Sequence, residues 1–495
     1  MYRQTNHSKE MNKFIRTIFP IVLITAFFFN SSYGQDHAYT LEKCILIAYQ
    51  NNLNIQRGKL DNQEYEIILE QARMSRLPDL NVGGSYSSNW GRSIDPTTNL
   101  FENQKINSVG LNGSSNMMLF NGFAISNSIK QAIVDWQTGK ASFEKTQNDV
   151  ALTVANLYLN VIFNQELKKN ADLQLNSSQE QLDRTQKLVD AGALPITNLL
   201  EIQSQFATNE VNVINRENDY NLAILQLKQA LQIPASDPFE IVIPDLEVGD
   251  MNDMSQLPND IYAIAETNQP QIKVVELRVK SADLGVKISR SSYLPSLSVG
   301  AGFRTNYSGI ANVPRVFYEG TSTIDAPIGY LQSDPNELVY TTIDIRNEVG
   351  SDPNFTLSEQ FSENLSRFVG LNLSIPIFNR MRTRSDVQRS IIMRQRAELD
   401  AVEIRNSLRQ DIETAYNSFV AALRSYNATD RQVSALEETF RVVENQYNLG
   451  AVNFVDYQVA ANNLYMARSD KLRAKYDLIF KRKVLDFYLG KPLSF

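Results

Sequence analysis

The sequence predicts a mainly α-helical chain with a membrane β-barrel, built from two copies of one helix, strand, strand, long-helix hairpin unit. Three observations carry this. Landmarks recur in order, with Phe120-Asn121 and Ala191-Gly192-Ala193-Leu194 matched by Phe378-Asn379 and Leu449-Gly450-Ala451-Val452, at a constant offset of 258 residues. Short segments alternate apolar with small polar residues at a period of two, as strands with two different faces do. Two stretches, about 122 to 190 and about 380 to 448, hold no proline and almost no glycine, so each reads as one helix of ~70 residues, or ~100 Å at 1.5 Å per residue. A period this long marks a duplicated half, not a solenoid.

The amino terminus comes first. Lys13 and Arg16, the apolar run Ile18 to Phe29 and the small-residue site Ser32-Tyr33-Gly34 read as a secretory signal over residues 1–34. Export to a bacterial envelope follows. The chain holds 48 basic and 55 acidic residues, and losing Arg3, Lys9, Lys13, Arg16 and Glu10 takes the mature balance to 44 against 54, or −10. Nucleic acid is excluded as a partner, because phosphate binding needs a basic face. No later apolar run reaches the ~18 residues of a transmembrane helix.

The rare residues exclude chemistry. His7 and His37 lie in and beside the signal, which removes histidine acid–base catalysis and most zinc sites. No glycine-rich phosphate loop is present, so no catalytic residue, cofactor or metal is expected and the chain does not read as an enzyme. Cys44 sits at an apolar position of the helical run Leu41 to Tyr49 and reads as a packing residue. Charged Glu42-Lys43 before it break the pattern of a lipid anchor.

The first repeat is assigned to residues 35–257. A helix over about 54–77 stops at Leu77, before Pro78. Strands follow at about 79–91 and 105–119, with Leu80, Val82, Tyr86 and Trp90 on one face and Asn81, Ser85, Ser87 and Asn89 on the other. A helical hairpin over about 122–231 and an irregular equatorial segment over 233–257 complete the copy. The second repeat, 258–495, has a helix over about 270–293, strands at about 296–307 and 366–377, and a hairpin over about 380–488. Its strands set Leu297, Val299, Ala301 and Phe303 against Ser298, Gly300 and Gly302, and Val369, Leu371, Leu373 and Ile375 against Gly370, Asn372 and Ser374. Each return helix spans ~34 residues, or ~50 Å, so the shorter helices must stack end to end on them to match the long ones. Leu408, Ile412, Ala415, Phe419, Ala422 and Tyr426 step by four and three, a packing seam that Val150, Val154, Leu157 and Val161 repeat. At the tips, Gly192 and Gly450 suit a left-handed helix end. Asn198 with Glu201, and Asn453 with Asp456, then read as caps of the return helices.

The strand faces fit either a membrane barrel or a soluble sandwich. The count decides. Four strands cannot close a barrel, whose smallest single-chain forms have about eight, and an open edge cannot exist in lipid. Three chains pooling four strands each give twelve, closed by cyclic symmetry. One connection breaks the repeat. Residues 305–365 are rich in acids, among them Glu319, Asp325, Asp334, Glu337, Asp344 and Glu348, and read as a variable surface loop in preference to a lid over the pore or a seat for a surface partner, with Glu337 to Ile345 able to extend the strands as a hairpin.

The paired Leu-Pro-x-Leu junctions at Leu77 and Leu294, the Phe-Asn starts of the long helices, and the tips Ala191 to Thr197 and Tyr447 to Asp456 together resemble the TolC family of outer-membrane efflux proteins over essentially the whole mature chain. The resemblance implies a homotrimer in the lipid of a Gram-negative outer membrane, a trimeric α-barrel crossing the periplasm beneath a twelve-stranded β-barrel, and no cofactor. It implies a passive exit duct of a tripartite efflux or type I secretion system, docked to a periplasmic adaptor and, through it, an inner-membrane pump of the resistance-nodulation-division or ATP-binding-cassette type. Gly192, Ala193, Leu194 and Thr197, with Gly450, Ala451 and Val452, match its adaptor-docking tips. Tyr447 matches a tyrosine that latches the closed tip, and Asp456 a carboxylate ringing the pore, although a helix-start role explains Asp456 equally well. Asn198, Val452 and Val459 stand where the family carries charges, which implies a differently built latch and a single acidic ring. Lacking histidine- or methionine-rich tracts, the chain does not read as a dedicated metal exporter. The competing class is a trimeric autotransporter-like adhesin or a structural coiled-coil protein spanning the periplasm. An adhesin would place its strands together at the carboxyl end, where residues 376–495 instead read as helical.

Overall fold

The computed structural model describes residues 38–94, 99–103, 105–244, 256–311, 315–352 and 355–493; the expected signal, and residues 245–255 of the expected equatorial segment, lie outside them. The first copy runs β1 (Ala38–Tyr39), α1 (Leu41–Asn51), α2 (Leu53–Met74), β2 (Asn81–Asn89), a small hairpin β3 (Arg92–Ile94) and β4 (Phe101–Asn103), β5 (Ile106–Asn121), α3 (Ala124–Asp190), α4 (Ile196–Leu231) and β6 (Glu240–Ile241). The second runs α5 (Pro258–Asn268), α6 (Pro270–Ser291), β7 (Ser296–Ser308), β8 (Arg315–Leu331), β9 (Asp334–Asp352), α7 (Leu357–Glu363), β10 (Ser366–Ser374), α8 (Arg382–Asn448) and α9 (Phe454–Tyr488). Both long helices, α3 and α8, are 67 residues. The elements gather into two bodies, one from residues up to 61, 141–273 and 403 onward, the other from 62–140 and 274–402. Each body draws on both copies.

The second body contains a four-stranded antiparallel sheet in the order β10, β7, β5, β2, besides the β3–β4 and β8–β9 pairs. Its register makes the sequence alternation coherent across all four strands. Tyr86 faces Val109, Leu111 faces Thr305, Met117 faces Val299 and Val299 faces Leu371 on one side; Ser85 faces Gly110, Asn112 faces Arg304 and Ser298 faces Asn372 on the other. A slip of one residue in any strand would mix the two faces. The apolar face is bare: Val82 is 73% exposed, Val369 79% and Leu371 71%. Hydrocarbon, not water, suits such a surface. Among the described residues, the outer edges of β2 and β10 pair with no strand.

The first body is helical and shows the duplication in its details. Asn52, extended between α1 and α2, donates its amide to the Ala230 carbonyl at the end of α4 (3.0 Å). Gln269, extended between α5 and α6, donates its amide to the Phe487 carbonyl near the end of α9 (3.2 Å). Asn52 thus takes up a carbonyl at the end of α4, and Gln269 adds a second bond to a carbonyl that already accepts from the Gly490 N–H (3.0 Å). In one core α1 packs Leu41, Cys44 and Ala48 against Val154, Tyr158, Ile162 and Leu227; in the other α5 packs Ile261 and Ala265 against Leu408, Ile412 and Leu485. The seam expected from Leu408 to Tyr426 is buried or half-buried throughout. Cys44 is fully buried, and burial pushes its thiol up to about 12, so it packs and does not react. No helix among the described residues is long and apolar enough to cross a membrane.

Two expectations are corrected. Much of 305–365 is regular where a loop was expected: β8 and β9 form a two-stranded ribbon of 17 and 19 residues, which contains the hairpin expected at Glu337 to Ile345 and extends well beyond it, and α7 follows. Asn198 is not the cap of α4. The helix begins at Ile196 behind Pro195, whose φ of −67° and missing N–H start a helix without a side-chain cap, which leaves Asn198 in the first turn.

Candidate functional site

The tips lie in the helical body, and both are closed by the same turn. Gly192, at φ +73°, donates its N–H to the Val189 carbonyl (2.8 Å), and Ala193 donates to Leu188 (2.8 Å). Gly450, at φ +72°, donates to Tyr447 (3.0 Å), and Ala451 to Gln446 (2.8 Å). This pair of bonds satisfies the last carbonyls of a helix and requires the left-handed backbone that glycine takes without strain. The second tip then restarts as the sequence predicts, Asn453 accepting from the Asp456 N–H at 2.9 Å.

Around these turns α3, α4, α8 and α9 share a small cluster of Leu199, Ile202, Phe454 and Tyr457, flanked by Leu182, Phe440 and Tyr447. The rings of Tyr447 and Tyr457 stack at 4.9 Å, and Phe440 and Phe454 tilt against Tyr457. Burial raises both phenols above their ordinary pKa, while Thr185 and Arg184 pull Tyr447 back and Ser177 and Gln181 pull Tyr457 back. Asp456 stands exposed between buried Phe454 and Tyr457, on the opposite side of its helix. Asn198 is half-buried, its side-chain oxygen 3.5 Å from the Thr197 hydroxyl. The tip positions Gly192, Ala193, Thr197, Gly450 and Ala451 are exposed, and Leu194 and Val452 half-exposed.

Beside this cluster, polar bonds also join the two hairpins. Asn170 donates to Ser469 (3.0 Å), Asn212 to Tyr465 (2.6 Å), Gln181 to Tyr457 (3.2 Å) and Arg184 to Asn448, while Thr185 bonds Tyr447. Between them is a cavity of about 100 Å³ lined by Asn170, Gln181, Asn209, Tyr465 and Arg468. Two buried atoms, Asn209 Nδ2 and Gln181 Oε1, have no hydrogen-bond partner among the described residues. Water can take over each of these bonds if the hairpins part, whereas parting the cluster of Leu199, Ile202, Phe454 and Tyr457 exposes apolar surface. Sequence reasoning named Tyr447 but missed Arg184, Thr185 and Gln181. The repeat held a signal for them, since at the 258-residue offset these positions become Val442, Val443 and Thr439.

A four-stranded sheet with a bare apolar face, in a chain that also holds two hairpins of long helices, gives the elements of an outer-membrane channel protein. The chain belongs to the outer membrane efflux protein family, which it matches over residues 45–231 and 261–491. It is 21% identical to outer membrane protein TolC of Escherichia coli (strain K12) over 90% of this chain and 80% of that protein, and 20% identical to outer membrane efflux protein BepC of Brucella suis biovar 1 over 89% and 83%. The solved outer membrane protein VceC from Vibrio cholerae shares the fold, with a TM-score of 0.68 at 14% identity over 91% of this chain and 96% of that one. The protein is an outer-membrane channel of the efflux type from a Gram-negative bacterium, and its helices reach into the periplasm.

Proposed function

We propose that three copies close into one duct that passively carries substrates across the outer membrane. An inner-membrane pump of the resistance-nodulation-division or ATP-binding-cassette type feeds it through a periplasmic adaptor, in efflux or in type I secretion. The observation that carries this is the sheet: an apolar face left bare and two edge strands left unpaired are stable in lipid only when neighbouring chains complete the barrel. The polar inner face, with Asn112, Asn116, Arg304 and Asn372, then lines water.

The tips serve two roles in this reading. Gly192, Ala193, Leu194 and Thr197, with Gly450, Ala451 and Val452, are the adaptor's seat, where small side chains leave backbone accessible. Leu449 beside them is 85% exposed, an apolar contact awaiting a partner. Tyr447 and Arg184 hold the two hairpins of each chain together and keep the inner end narrow. Asp456 places one carboxylate per chain around the opening, and Asn198, its counterpart in the first copy, adds none.

Reconstitution tests the proposal. The detergent-solubilised protein should have three times the chain mass and conduct only weakly in planar bilayers. Combining Arg184→Ala with Tyr447→Phe should raise conductance several-fold, and Asp456→Asn should lower the preference for cations. A monomer, or a trimer that never conducts even with the tip bonds removed, sinks the reading.

A further inference from the structure

The β8–β9 ribbon is amphipathic in a way its acidic composition hides. Ile324 faces Ile343, Ser322 faces Ile345 and Ala326 faces Thr341 on one side, and beyond the irregularity at Pro327/Gly329 the same side continues with Gly329 and Val339. The other side carries Thr323 opposite Asp344, Asp325 opposite Thr342 and Thr321 opposite Arg346. Every charge of this central stretch is therefore on one face. Ile324, Val339, Ile343 and Ile345 on the uncharged face are each 37–42% exposed. A lone two-stranded ribbon with such a face is marginal in water and needs cover.

The segment that follows the ribbon is anchored to the sheet. β7 runs on past the start of β10, and α7 closes the edge that this leaves. Gln360, fully buried on α7, accepts from the Ser308 N–H (2.9 Å) and donates to the Ser308 and Phe355 carbonyls (3.1 and 2.9 Å), standing in for a strand neighbour. The Thr305 hydroxyl donates to the Phe361 carbonyl (2.8 Å), and the Asn364 amide to the Asn306 carbonyl (2.9 Å). A freely variable loop has no use for this base.

We propose that the ribbons of three chains pack on one another through their aliphatic faces and form a cap over the outer mouth of the duct. The cap rests on the three-chain reading above. Since α6 enters the sheet and α8 leaves it at one end, the ribbon leaves from the other, which faces the cell exterior. Reach is sufficient. Seventeen residues extend ~55 Å at ~3.3 Å each, whereas a ring of about twelve strands spaced ~4.8 Å and tilted ~40° has a radius of only ~12 Å. A second copy fits the surface better than another partner does. The central stretch of the face to be covered, from Val339 to Ile345, bears no charge, whereas Asp325 and Asp344 on the back repel their equivalents and turn the aliphatic sides inward. Within one ring the ribbons meet at millimolar effective concentration, which lets a modest surface suffice.

Oxidative cross-linking of the full-length protein in outer membranes tests this. With buried Cys44 left in place, Ile343→Cys and Ile324→Cys should each give disulfide-linked chains, and Thr342→Cys, on the other face, should not. Trimer size in detergent is read separately on the same variants. Intact trimers without a cross-link at either isoleucine, equal cross-linking at Thr342, or linkage to a different protein overturns the cap, whereas absence of trimers in the unaltered protein overturns the three-chain reading. Ile324→Asp combined with Ile343→Asp should keep the trimer and admit a large hydrophilic antibiotic several-fold faster from outside; unchanged entry likewise overturns the cap.

Discussion

At the tip the phenols of Tyr447 and Tyr457 are held neutral by their surroundings, and burial is the leading cause for both. A folded-state pKa raised above the ordinary ~10 means that the folded tip favours the protonated ring. The stabilisation is complete below about pH 10 and is lost as pH rises through the raised value. Packing at the tip should therefore be indifferent to pH across the physiological range and loosen under alkali, when a phenolate forms between stacked rings. Amide exchange of residues 440–460 measures this locally, which matters because burial also raises Tyr158, Tyr476 and Tyr488 elsewhere. Tyr447→Phe should speed exchange at neutral pH, by removing the bond to Thr185, and should shrink the alkaline increase. An alkaline increase as large in the variant as in the unaltered protein would remove Tyr447 from the account.

The tip turns are elements whose cost can be separated into backbone and space. Among the described residues no atom lies within 4 Å of where a Cβ would stand at Gly192 or Gly450, so alanine there meets the left-handed backbone penalty of ~1–2 kcal/mol. Asn453→Ala removes the cap of α9 for ~1 kcal/mol, whereas Pro195→Ala in the first copy removes no side-chain hydrogen bond. Exchange should thus quicken at the second tip for Gly450→Ala and Asn453→Ala, and change less at the first for Pro195→Ala; equal effects at 195 and 453 would contradict the asymmetry. The strands, long helices and glycine turns were legible because each depends on a local period or a single backbone constraint. Asn198 was misread because its type suits a cap, although the repeat offset sets Pro195, not Asn198, against Asn453. Of the ribbon only Glu337 to Ile345 was legible, because irregularities at Tyr318/Thr321 and Pro327/Gly329 interrupt the alternation of β8. The polar ladder was hidden for a different reason, since partners such as Arg184 and Asn448 are 264 residues apart and only packing of the hairpins joins them.

The proposed closure of three chains has a consequence in the order of the sheet. With β10 and β2 at its two edges, a ring of identical chains sets β2 of one beside β10 of the next. The helix feeding β2 is α2 and the helix leaving β10 is α8, so the seam continues as α2 of one chain against α8 of its neighbour. Both carry the surface this requires. On α2, Leu53, Leu60, Ile67 and Met74 recur every seventh residue and are 51–66% exposed; on α8, Ile392, Leu399 and Val402 are 49–69% exposed. Such a seven-residue spacing suits a neighbouring helix at a shallow crossing angle. Burying one leucine contributes ~2 kcal/mol, and symmetry repeats every change at three seams. Leu60→Asp or Leu399→Asp should therefore shift solubilised protein from trimer to monomer in sedimentation, while Ile345→Asp on the ribbon leaves the ring intact. If trimers bearing aspartate at both Leu60 and Leu399 persist as well as the unaltered ones, the chains meet through other faces and the β2–β10 seam is wrong.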